Sequence, residues 1–355
     1  MGLTKKTEAI DMAKMKAIGA LKALETSDEQ FLTDLTLDKP TPTGRQVLVA
    51  VSAVSVNPVD TKMRLTVTDE TAPKILGYDA VGKVAAVGPD VEKFKVGDRL
   101  YYAGSSQVDG SDEEYQLVDE RLACSAPKAL SDAEAAAMPL TTLTAYELLF
   151  EKMHFVPKGN QNQNKTLLIV NGSGGVGSIL SQLAHWAGLT VLATSSPKNF
   201  DWLKRHGVDY PLDYHEDLLS QIHDLGYQQL DAIAILYAPE AYFKVASELV
   251  KPFGHIGSIV GSTVDLPLYL IKNKAASFDW EYMFAKSDAN YRVHTQGKIL
   301  QLACRLLDQG VLESTLTTNI ETGINAANLR KAHQLVEAGH TLGKLVVSGP
   351  FNGKA

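Results

Sequence analysis

The spacing of apolar residues divides the chain into a β-rich first part and a part in which strands and helices alternate. The stretch RQVLVAVSAVSV (45–56) alternates and is dense in valine, and residues 74–104 hold short apolar runs between glycines and a proline. These patterns predict strands joined by turns over residues 15–127. Residues 131–153 then change to helical spacing, and Ser131 and Glu134 stand at the positions of a helix capping box.

From residue 165 to about residue 283, short apolar runs alternate with helical segments. We expect buried parallel strands at 166–170, 190–194, 230–237 and 253–261, with intervening helices at 197–207 and 239–250. After this part the pattern predicts helices at 295–310 and around 326–338, and a last strand at 343–349. The chain therefore reads as an α/β protein with a doubly wound parallel sheet inserted into a β-rich domain.

These patterns suggest two domains, as the chain length of 355 residues also does. We expect a discontinuous β-rich domain at 15–139 and 288–355, and a nucleotide-binding domain at 140–287. Residues 1–14 read as a leader, without the apolar core of a secretory signal.

A glycine cluster lies between the predicted strand 166–170 and the helix that follows it. Its spacing is Gly172-x-Gly174-x-x-Gly177. In such a turn, free backbone N–H groups and a helix N-terminus can hold a pyrophosphate. A purely structural glycine turn is the alternative, but the strand, the helix and the later βαβ spacing all favour a dinucleotide site.

The end of the second strand of this unit indicates which dinucleotide is bound. An acidic residue there would bind the ribose 2′-hydroxyl of NAD. The sequence instead has Ser195, Ser196 and Lys198, with no carboxylate before Asp201. Hydroxyls and a cation suit a 2′-phosphate, so NADPH is predicted over NADH. Lys198 taken alone could equally be a solvated residue at a helix start.

Charge and composition narrow the partners and the location. The net charge of −7 argues against nucleic acid or an anionic membrane as partner. The apolar run 230–238 is too short to span a bilayer. The two cysteines, Cys124 and Cys304, lie outside any CxxC motif and read as reduced thiols of a cytoplasmic protein.

Six motifs occur in order along the chain: VSAVSVNPVDTKMR, ILGYDAVGKVAAVG, FKVGDRLYY, MPLTTLTAYELL, NGSGGVGSILSQLA and GKLVVS. Together they resemble the medium-chain dehydrogenase/reductase superfamily, most closely its quinone oxidoreductase branch in the zinc-type alcohol dehydrogenase-like subgroup. The resemblance implies a GroES-like catalytic domain, a Rossmann domain and a homodimer.

Zinc-dependent members of that superfamily hold the metal with a Cys, a His and a further Cys. The matching positions here are Asn57, Tyr78 and Leu140, and none of these residue types is a ligand that zinc favours. The segment SSQVDGSDEEYQ, which matches the four-cysteine lobe of those relatives, contains no cysteine. We therefore predict no metal.

The resemblance also implies which residues surround the cofactor. Thr144 would lie beside the nicotinamide, the glycine turn under the pyrophosphate, and Lys344 of GKLVV against the cofactor. The full set of cofactor residues predicted from the motifs and the resemblance is Thr144, Gly172, Gly174, Gly175, Val176, Gly177, Ser195, Ser196, Lys198, Tyr214, Tyr237, Val260, Gly261 and Lys344.

For the substrate, we expect Asn57 to donate a hydrogen bond and Tyr78 to form a wall or donate a proton. Trp280 and Phe284 of FDWEYMF are candidates for an aromatic lid, with core or dimer packing as the alternative. Asp60 matches a residue that supports zinc chemistry in relatives, and here it could simply form local hydrogen bonds. No general acid is assigned.

Chemistry without a metal favours an electron-poor acceptor. Zinc would stabilise a developing alkoxide by several kcal/mol. A reduced quinone is a phenolate-type anion, and phenols ionise near pH 10, so this product needs less help. The expected activity is NADPH-dependent hydride transfer to a quinone or similarly activated carbonyl. Reduction of an enone C=C bond is the alternative, as is a non-catalytic NADPH-binding redox sensor; a zinc alcohol dehydrogenase ranks far below these.

Overall fold

Hydrogen-bonded strands form three sheets in the computed structural model, which describes residues 13–68 and 71–352. In chain order the strands are β1 (Lys14–Ala20), β2 (Thr33–Asp38), β3 (Gln46–Val56), β4 (Lys74–Ile75), β5 (Ala80–Val87), β6 (Arg99–Tyr102), β7 (Tyr115–Asp119), β8 (Ala123–Ser125), β9 (Thr166–Val170), β10 (Thr190–Ser195), β11 (Tyr210–Asp213), β12 (Leu230–Ile235), β13 (Val250–Ser258), β14 (Ser277–Trp280), β15 (Leu316–Ile320) and β16 (Lys344–Ser348).

Helices connect or cover these strands. The α-helices are α1 (Pro58–Arg64), α2 (Asp132–Ala136), α3 (Pro139–Tyr146), α4 (Gly175–Ala187), α5 (Phe200–Arg205), α6 (Leu218–Asp224), α7 (Pro239–Leu249), α8 (Ala285–Asp288), α9 (His294–Asp308) and α10 (Ala326–Glu337). A π-helix spans Glu147–Lys152, and 3₁₀ helices span Pro197–Asn199 and Leu268–Lys274. No helix in the described ranges is both long and apolar enough to cross a membrane.

The first large sheet joins the two ends of the chain. Its strand order is β15-β16-β3-β5-β6-β8, and β7 pairs with β3 off this path. The valine-rich β3 lies in the centre, antiparallel to β5 and β16. A small sheet, β2-β1-β4, completes the β-rich part. This arrangement confirms the predicted β-rich GroES-like domain.

The second large sheet is parallel throughout, in the order β11-β10-β9-β12-β13-β14. Successive residues of β9 pack into different hydrophobic cores. Leu167 and Ile169 pack in the core that contains α4, whereas Leu168 packs in the core that contains α7. Helices therefore cover both faces, as expected for a parallel sheet whose strands are apolar throughout. The prediction of a Rossmann-like sheet is confirmed.

The capping box at residue 131 is present, but the helix that it opens is interrupted. The Ser131 N–H donates to Glu134 Oε2 at 2.8 Å, and the Glu134 N–H donates to Ser131 Oγ at 3.3 Å. α2 ends before Pro139, because proline lacks the N–H that the helix would need at that point. α3 and the π-helix then complete the predicted segment.

The predicted domain boundaries at 139/140 and 287/288 stay a prediction. The first strand begins at Lys14, inside the predicted leader, and residues 1–12 of that leader lie outside the described part of the chain.

A buried arginine fixes the helix that follows the predicted site residue Asn57. Arg64, at the end of α1, is fully buried. Its guanidinium donates to Leu24 O at 3.0 Å and to Glu337 Oε1 at 2.7 Å, and it lies 3.1 Å from His333 Nδ1. Burial, with the Arg64 charge, lowers the pKa of His333 to about 3, so the ring is neutral and can accept this bond. α1 is thereby held against α10.

Candidate active site

The first turn of α1 places Asp60 beneath the start of the helix. Asn57 is the N-cap, and Asp60 reaches back to accept from the Asn57 N–H at 2.6 Å through Oδ2. The other oxygen, Oδ1, accepts from the Gly77 N–H at 3.1 Å. Asp60 is buried, so these bonds tie α1 to the loop that carries Tyr78.

The amide of Asn57 is fully engaged inside the protein. Its Nδ2 group donates to Ser55 O at 3.2 Å and to Asp79 Oδ2 at 2.8 Å. Its Oδ1 accepts from Lys344 Nζ at 2.5 Å. Both N–H donors are therefore used within the protein, and the contact of Asn57 with a substrate stays a prediction. Asn57 holds two charged residues in place.

Asp79 and Lys344 form a buried ion pair beside Asn57. Lys344 Nζ lies 3.2 Å from Asp79 Oδ2 and donates to Val56 O at 3.3 Å. Asp79 Oδ1 accepts from the Leu140 N–H, at 2.7 Å, in the first turn of α3. Two of the three positions that match zinc ligands, 57 and 140, thus bond to the same carboxylate, and the third is its neighbour Tyr78. The Lys344 ammonium lies beside this carboxylate.

Burial dominates the electrostatics of this group. It raises the pKa of Asp60 to about 7, against the hydrogen bond from Asn57 and the charge of Lys344. Burial also raises the pKa of Asp79, and the Lys344 ammonium and the donors from Asn57 and Leu140 oppose that rise. Lys344 thus compensates the negative charge of the two carboxylates where water cannot.

These residues do not fit the zinc ion that zinc-dependent members of the superfamily bind. Zinc takes thiolate, imidazole or carboxylate ligands, whereas this position offers an amide already bonded, a phenol and a leucine. The buried Lys344 ammonium would also repel a metal cation at this place. Among residues 13–68 and 71–352, no group of three or more His, Cys, Asp or Glu side chains is arranged to hold a metal ion.

Aromatic rings pack around Tyr78, next to the buried cluster of Asn57, Asp79 and Lys344. The Phe284 ring lies edge-on to Tyr78, with centroids 4.8 Å apart, and the Tyr282 ring lies 5.6 Å from Phe284. Tyr78 is only 3% exposed, and its hydroxyl has no hydrogen-bond partner among the residues described. Burial, and next the charge of Asp60, raise the pKa of Tyr78 above its usual range, so the hydroxyl retains its proton.

Trp280 does not join this aromatic group. It packs on Phe278, with centroids 4.9 Å apart, and is 46% exposed on the edge strand β14. Of the two lid candidates, only Phe284 contacts Tyr78. The lid role of Trp280 stays a prediction.

The glycine turn connects β9 to α4 as predicted, and the last strand of the chain touches it. A Cβ at Gly177 would lie 2.4 Å from Asn171 O, so only glycine permits this packing. Gly174, Gly175 and Val176 are half-buried, which leaves the first turn of α4 partly open. The Gly343 N–H donates to Ser173 O at 2.9 Å, and Lys344 Cδ lies so close that a Cβ at Gly175 would be 2.8 Å from it.

The end of β10 separates the two predicted serines. The Ser195 hydroxyl is buried, donates to Ser173 Oγ at 2.7 Å and accepts from Asn199 Nδ2 at 3.1 Å. It therefore bonds to the glycine turn, and its role at the 2′-phosphate stays a prediction. Ser196 lies further out, with Oγ 3.3 Å from the Tyr214 hydroxyl.

Lys198 is exposed and follows Ser196 by two residues. Asp213, opposite Ser195 in the sheet register, is engaged with the His215 N–H and ring. Ser196, Lys198 and Tyr214 thus offer hydroxyls and a cation at one strand end, and the nearby carboxylate is already bonded.

The remaining predicted cofactor residues lie on neighbouring elements. Tyr237 is 62% exposed just after β12, and Val260 and Gly261 follow β13, so all three are at the carboxyl edge of the parallel sheet. Ala238, next to Tyr237, has a left-handed backbone with φ of 43°, a strained conformation for a residue with a side chain. Thr144 is buried in α3, and its hydroxyl donates to Leu140 O at 2.9 Å.

A dinucleotide fits these residues. The open first turn of α4 presents backbone N–H groups, the usual donors for a pyrophosphate. The carboxyl edge of a doubly wound sheet is also where such ligands bind.

Sequence reasoning missed two residues of the site. Asp79 directly follows Tyr78, and a carboxylate within the apolar stretch ILGYDAVG was a signal that it needed a buried partner. Tyr282 stands within the same FDWEYMF motif as Phe284, but a local motif does not reveal which of several aromatic residues face one another.

Comparisons with known proteins agree with this architecture. Residues 43–128 match the alcohol dehydrogenase GroES-like domain, and residues 206–347 match the zinc-binding dehydrogenase family. A zinc-type alcohol dehydrogenase-like protein of Staphylococcus aureus is 39% identical over 337 residues, which cover 94% of this chain and 100% of that protein. A 2-methylene-furan-3-one reductase of Solanum lycopersicum is 37% identical over 229 residues, 61% of this chain and 55% of that protein.

Two solved structures extend the comparison. A Rhizobium etli protein named as a zinc-dependent alcohol dehydrogenase superimposes with a TM-score of 0.90 and 40% identity, covering 95% of this chain and 99% of that one. The quinone oxidoreductase of Coxiella burnetii has a TM-score of 0.79 and 25% identity, covering 95% and 100%. The chain therefore belongs to the medium-chain dehydrogenase/reductase superfamily of oxidoreductases, in its zinc-type alcohol dehydrogenase-like group.

Proposed function

We propose that this protein is an NADPH-dependent reductase that transfers hydride to a quinone or a similarly activated carbonyl compound without zinc. The observation that carries the proposal is the Lys344 ammonium, bonded to Asn57 and Asp79 at the position that matches a metal site. The N–H donors of this ammonium bond to these partners. The ammonium therefore cannot polarise a substrate oxygen as a metal ion with an open coordination position would. Acceptors whose reduced anion is stable by itself suit such a site.

In this proposal the chain binds, orients and shields the reactants. When bound, NADPH supplies the hydride, and the open turn of α4 holds its pyrophosphate. Ser196, Lys198 and Tyr214 bind the 2′-phosphate. Tyr78 and Phe284 form a wall for a flat acceptor, and the free Tyr78 hydroxyl donates a hydrogen bond to the acceptor oxygen. Holding the reactants together and excluding water provides the rate enhancement.

An enone reductase is the second candidate function. It is supported by the similarity to the Solanum lycopersicum protein, which is named as a reductase of 2-methylene-furan-3-one. The same wall and the same hydroxyl could hold an enone carbonyl while the hydride adds to its β-carbon.

Two further features of the proposal concern the whole protein. β14 is the outermost strand of the parallel sheet and carries the exposed Trp280. Unpaired strand edges with apolar side chains pair readily, which supports a homodimer across this edge. Cys124 and Cys304 are free thiols, which supports a cytoplasmic location.

The acceptor class can be tested by NADPH oxidation against matched panels of quinones and enones. We expect kcat/KM to be roughly tenfold or more higher for the quinones, because the product anion is more stable. A chelator should leave the rate unchanged. Faster turnover of the enones would instead support the second candidate. NADPH binding without turnover of any acceptor would support a non-catalytic protein.

The 2′-phosphate site can be tested with Ser196→Asp combined with Lys198→Ala. The added carboxylate repels the phosphate and the lost cation removes a charged hydrogen bond, so kcat/KM for NADPH should fall roughly tenfold to a hundredfold. The value for NADH should hold or rise. Lys204→Ala, at another exposed lysine, serves as the matched control. An unchanged ratio between the two cofactors would contradict this assignment.

The buried ion pair can be tested by urea unfolding of Lys344→Met, Asp79→Asn and the double variant. Lys344→Met should cost about 3–5 kcal/mol at pH 8, because it leaves Asp79 buried and uncompensated. The loss should shrink as the pH is lowered, because burial already raises the pKa of Asp79 and protonation removes the uncompensated charge. The double variant should recover most of the loss. Strictly additive effects would argue against coupling of the two charges.

The dimer can be tested by light scattering of the purified protein. We expect twice the mass of one chain, and Trp280→Lys should favour the monomer because it places a charge on the pairing edge. A wild-type protein that is monomeric at micromolar concentration would refute the dimer.

A further inference from the structure

The two cysteines of the chain are distant in sequence but meet between β8 and α9. Cys124 is the middle residue of β8 and is 8% exposed, whereas Cys304 lies on α9 and is half-buried. The Cys124 thiol donates a hydrogen bond to the sulfur of Cys304, which packs against the core that contains Cys124. Both thiols are free. The fold therefore brings two reduced sulfurs into contact, and the proposed function gives this pair no role.

Close packing of the strand and the helix keeps the two sulfurs together. A Cβ at Gly297, in the first turn of α9, would lie 3.0 Å from a carbonyl oxygen of β8, so the glycine lets the helix approach the strand. Tyr101 stands opposite Cys124 in the sheet register, and its hydroxyl donates to Leu300 O at 2.5 Å. Leu300 lies one helical turn before Cys304. These contacts hold the backbone on both sides of the thiol pair.

The two thiols differ in access and in acidity. The hydrogen bond from Cys124 lowers the pKa of Cys304, while burial and the charge of Asp308, whose Oδ2 lies 3.9 Å from the Cys304 sulfur, oppose this. The same hydrogen bond, and next burial, raise the pKa of Cys124. Because the thiolate is the nucleophile, the more accessible Cys304 reacts first. Cys124 is then the thiol next to it that can complete a disulfide.

We propose that Cys124 and Cys304 form an oxidation site at which a hydroperoxide converts the two thiols to a disulfide between β8 and α9. The inference does not depend on the proposed function. It adds a covalent modification to a part of the molecule that lies outside the candidate active site.

The oxidation takes place in two steps. The Cys304 thiolate attacks one oxygen of the hydroperoxide, so that an S–O bond forms, the O–O bond breaks and the other oxygen leaves as an alcohol, or as water, after taking up a proton. The Cys124 sulfur then attacks the Cys304 sulfur, so that the S–S bond forms, the S–O bond breaks and water leaves with the Cys124 proton. Two thiols lose two electrons, and one hydroperoxide is reduced to one alcohol and one water.

The disulfide would join two distant parts of the chain. β8 precedes all six strands of the parallel sheet, and α9 follows all six. A covalent link across so long a loop restricts the unfolded chain. Oxidation is therefore expected to raise the stability of the folded protein.

The test exposes the folded, reduced protein to hydrogen peroxide and follows its intact mass and its free thiols. We expect the mass to fall by two hydrogen atoms and the thiols counted in denaturant to fall from two to none. A dithiol reductant should reverse both changes. The oxidised protein should have a Tm roughly 3–6 °C above that of the reduced protein. This measurement on the wild type needs no variant.

Cys304→Ser and Cys124→Ser are matched variants, because each removes one sulfur and keeps the size of the side chain. In Cys304→Ser the remaining thiol is buried and should react at least about tenfold more slowly than the wild-type pair. In Cys124→Ser the oxidation should stop at a sulfenic acid on Cys304, seen as a gain of one oxygen atom that dimedone traps. Peroxide should raise the Tm of neither variant.

Several results would overturn the inference. The wild type could gain oxygen atoms while Cys124 stays a free thiol, or it could form a disulfide between two chains, seen as a doubled mass without reductant. Both thiols could also survive until the methionines are oxidised. Thiol loss as fast in Cys304→Ser as in the wild type would refute Cys304 as the residue that reacts first.

Discussion

The Lys344–Asp79 ion pair is the constraint on which the site depends. Lys344 belongs to β16, Asp79 precedes β5, and Asp79 also holds the first turn of α3 through the Leu140 N–H. Just before Lys344, Gly343 bonds to the glycine turn of the parallel sheet. One buried charge pair therefore fixes the relative positions of the β-rich sheet, the helix α3 that carries Thr144, and the glycine turn. Moving either charge would disturb all three.

In the proposed function, the Lys344–Asp79 pair stands where zinc-dependent relatives hold their metal. A metal at this position would neutralise negative charge and leave a free coordination position for substrate. The ammonium neutralises charge but spends its hydrogen bonds on Asn57, Val56 and Asp79. The protein therefore keeps the electrostatic support for its fold and has no built-in electrophile.

Local periodicity predicted the order of strands and helices and the position of the glycine turn, because those signals lie within a few residues of one another. The contacts inside the site could not be predicted from such local signals. Lys344 and Asp79 are distant in sequence, so no window contains both. Ser195 and Ser196 differ in their surroundings because Ser195 is the buried last residue of β10, whereas Ser196 lies just beyond the strand, and local periodicity does not resolve a strand end to one residue. Trp280 and Phe284 share one motif, yet only the fold decides which of them meets Tyr78.

The position of β16 has a consequence for the assembly of the protein. β16 follows every other described strand in the chain, yet it lies between β15 and β3 within the first large sheet. During synthesis the ribosome would release Asp79 and the glycine turn long before the lysine that joins them. Chains truncated before this strand would retain an uncompensated carboxylate and an open sheet edge. The complete site is thus available only after β16 has been synthesised.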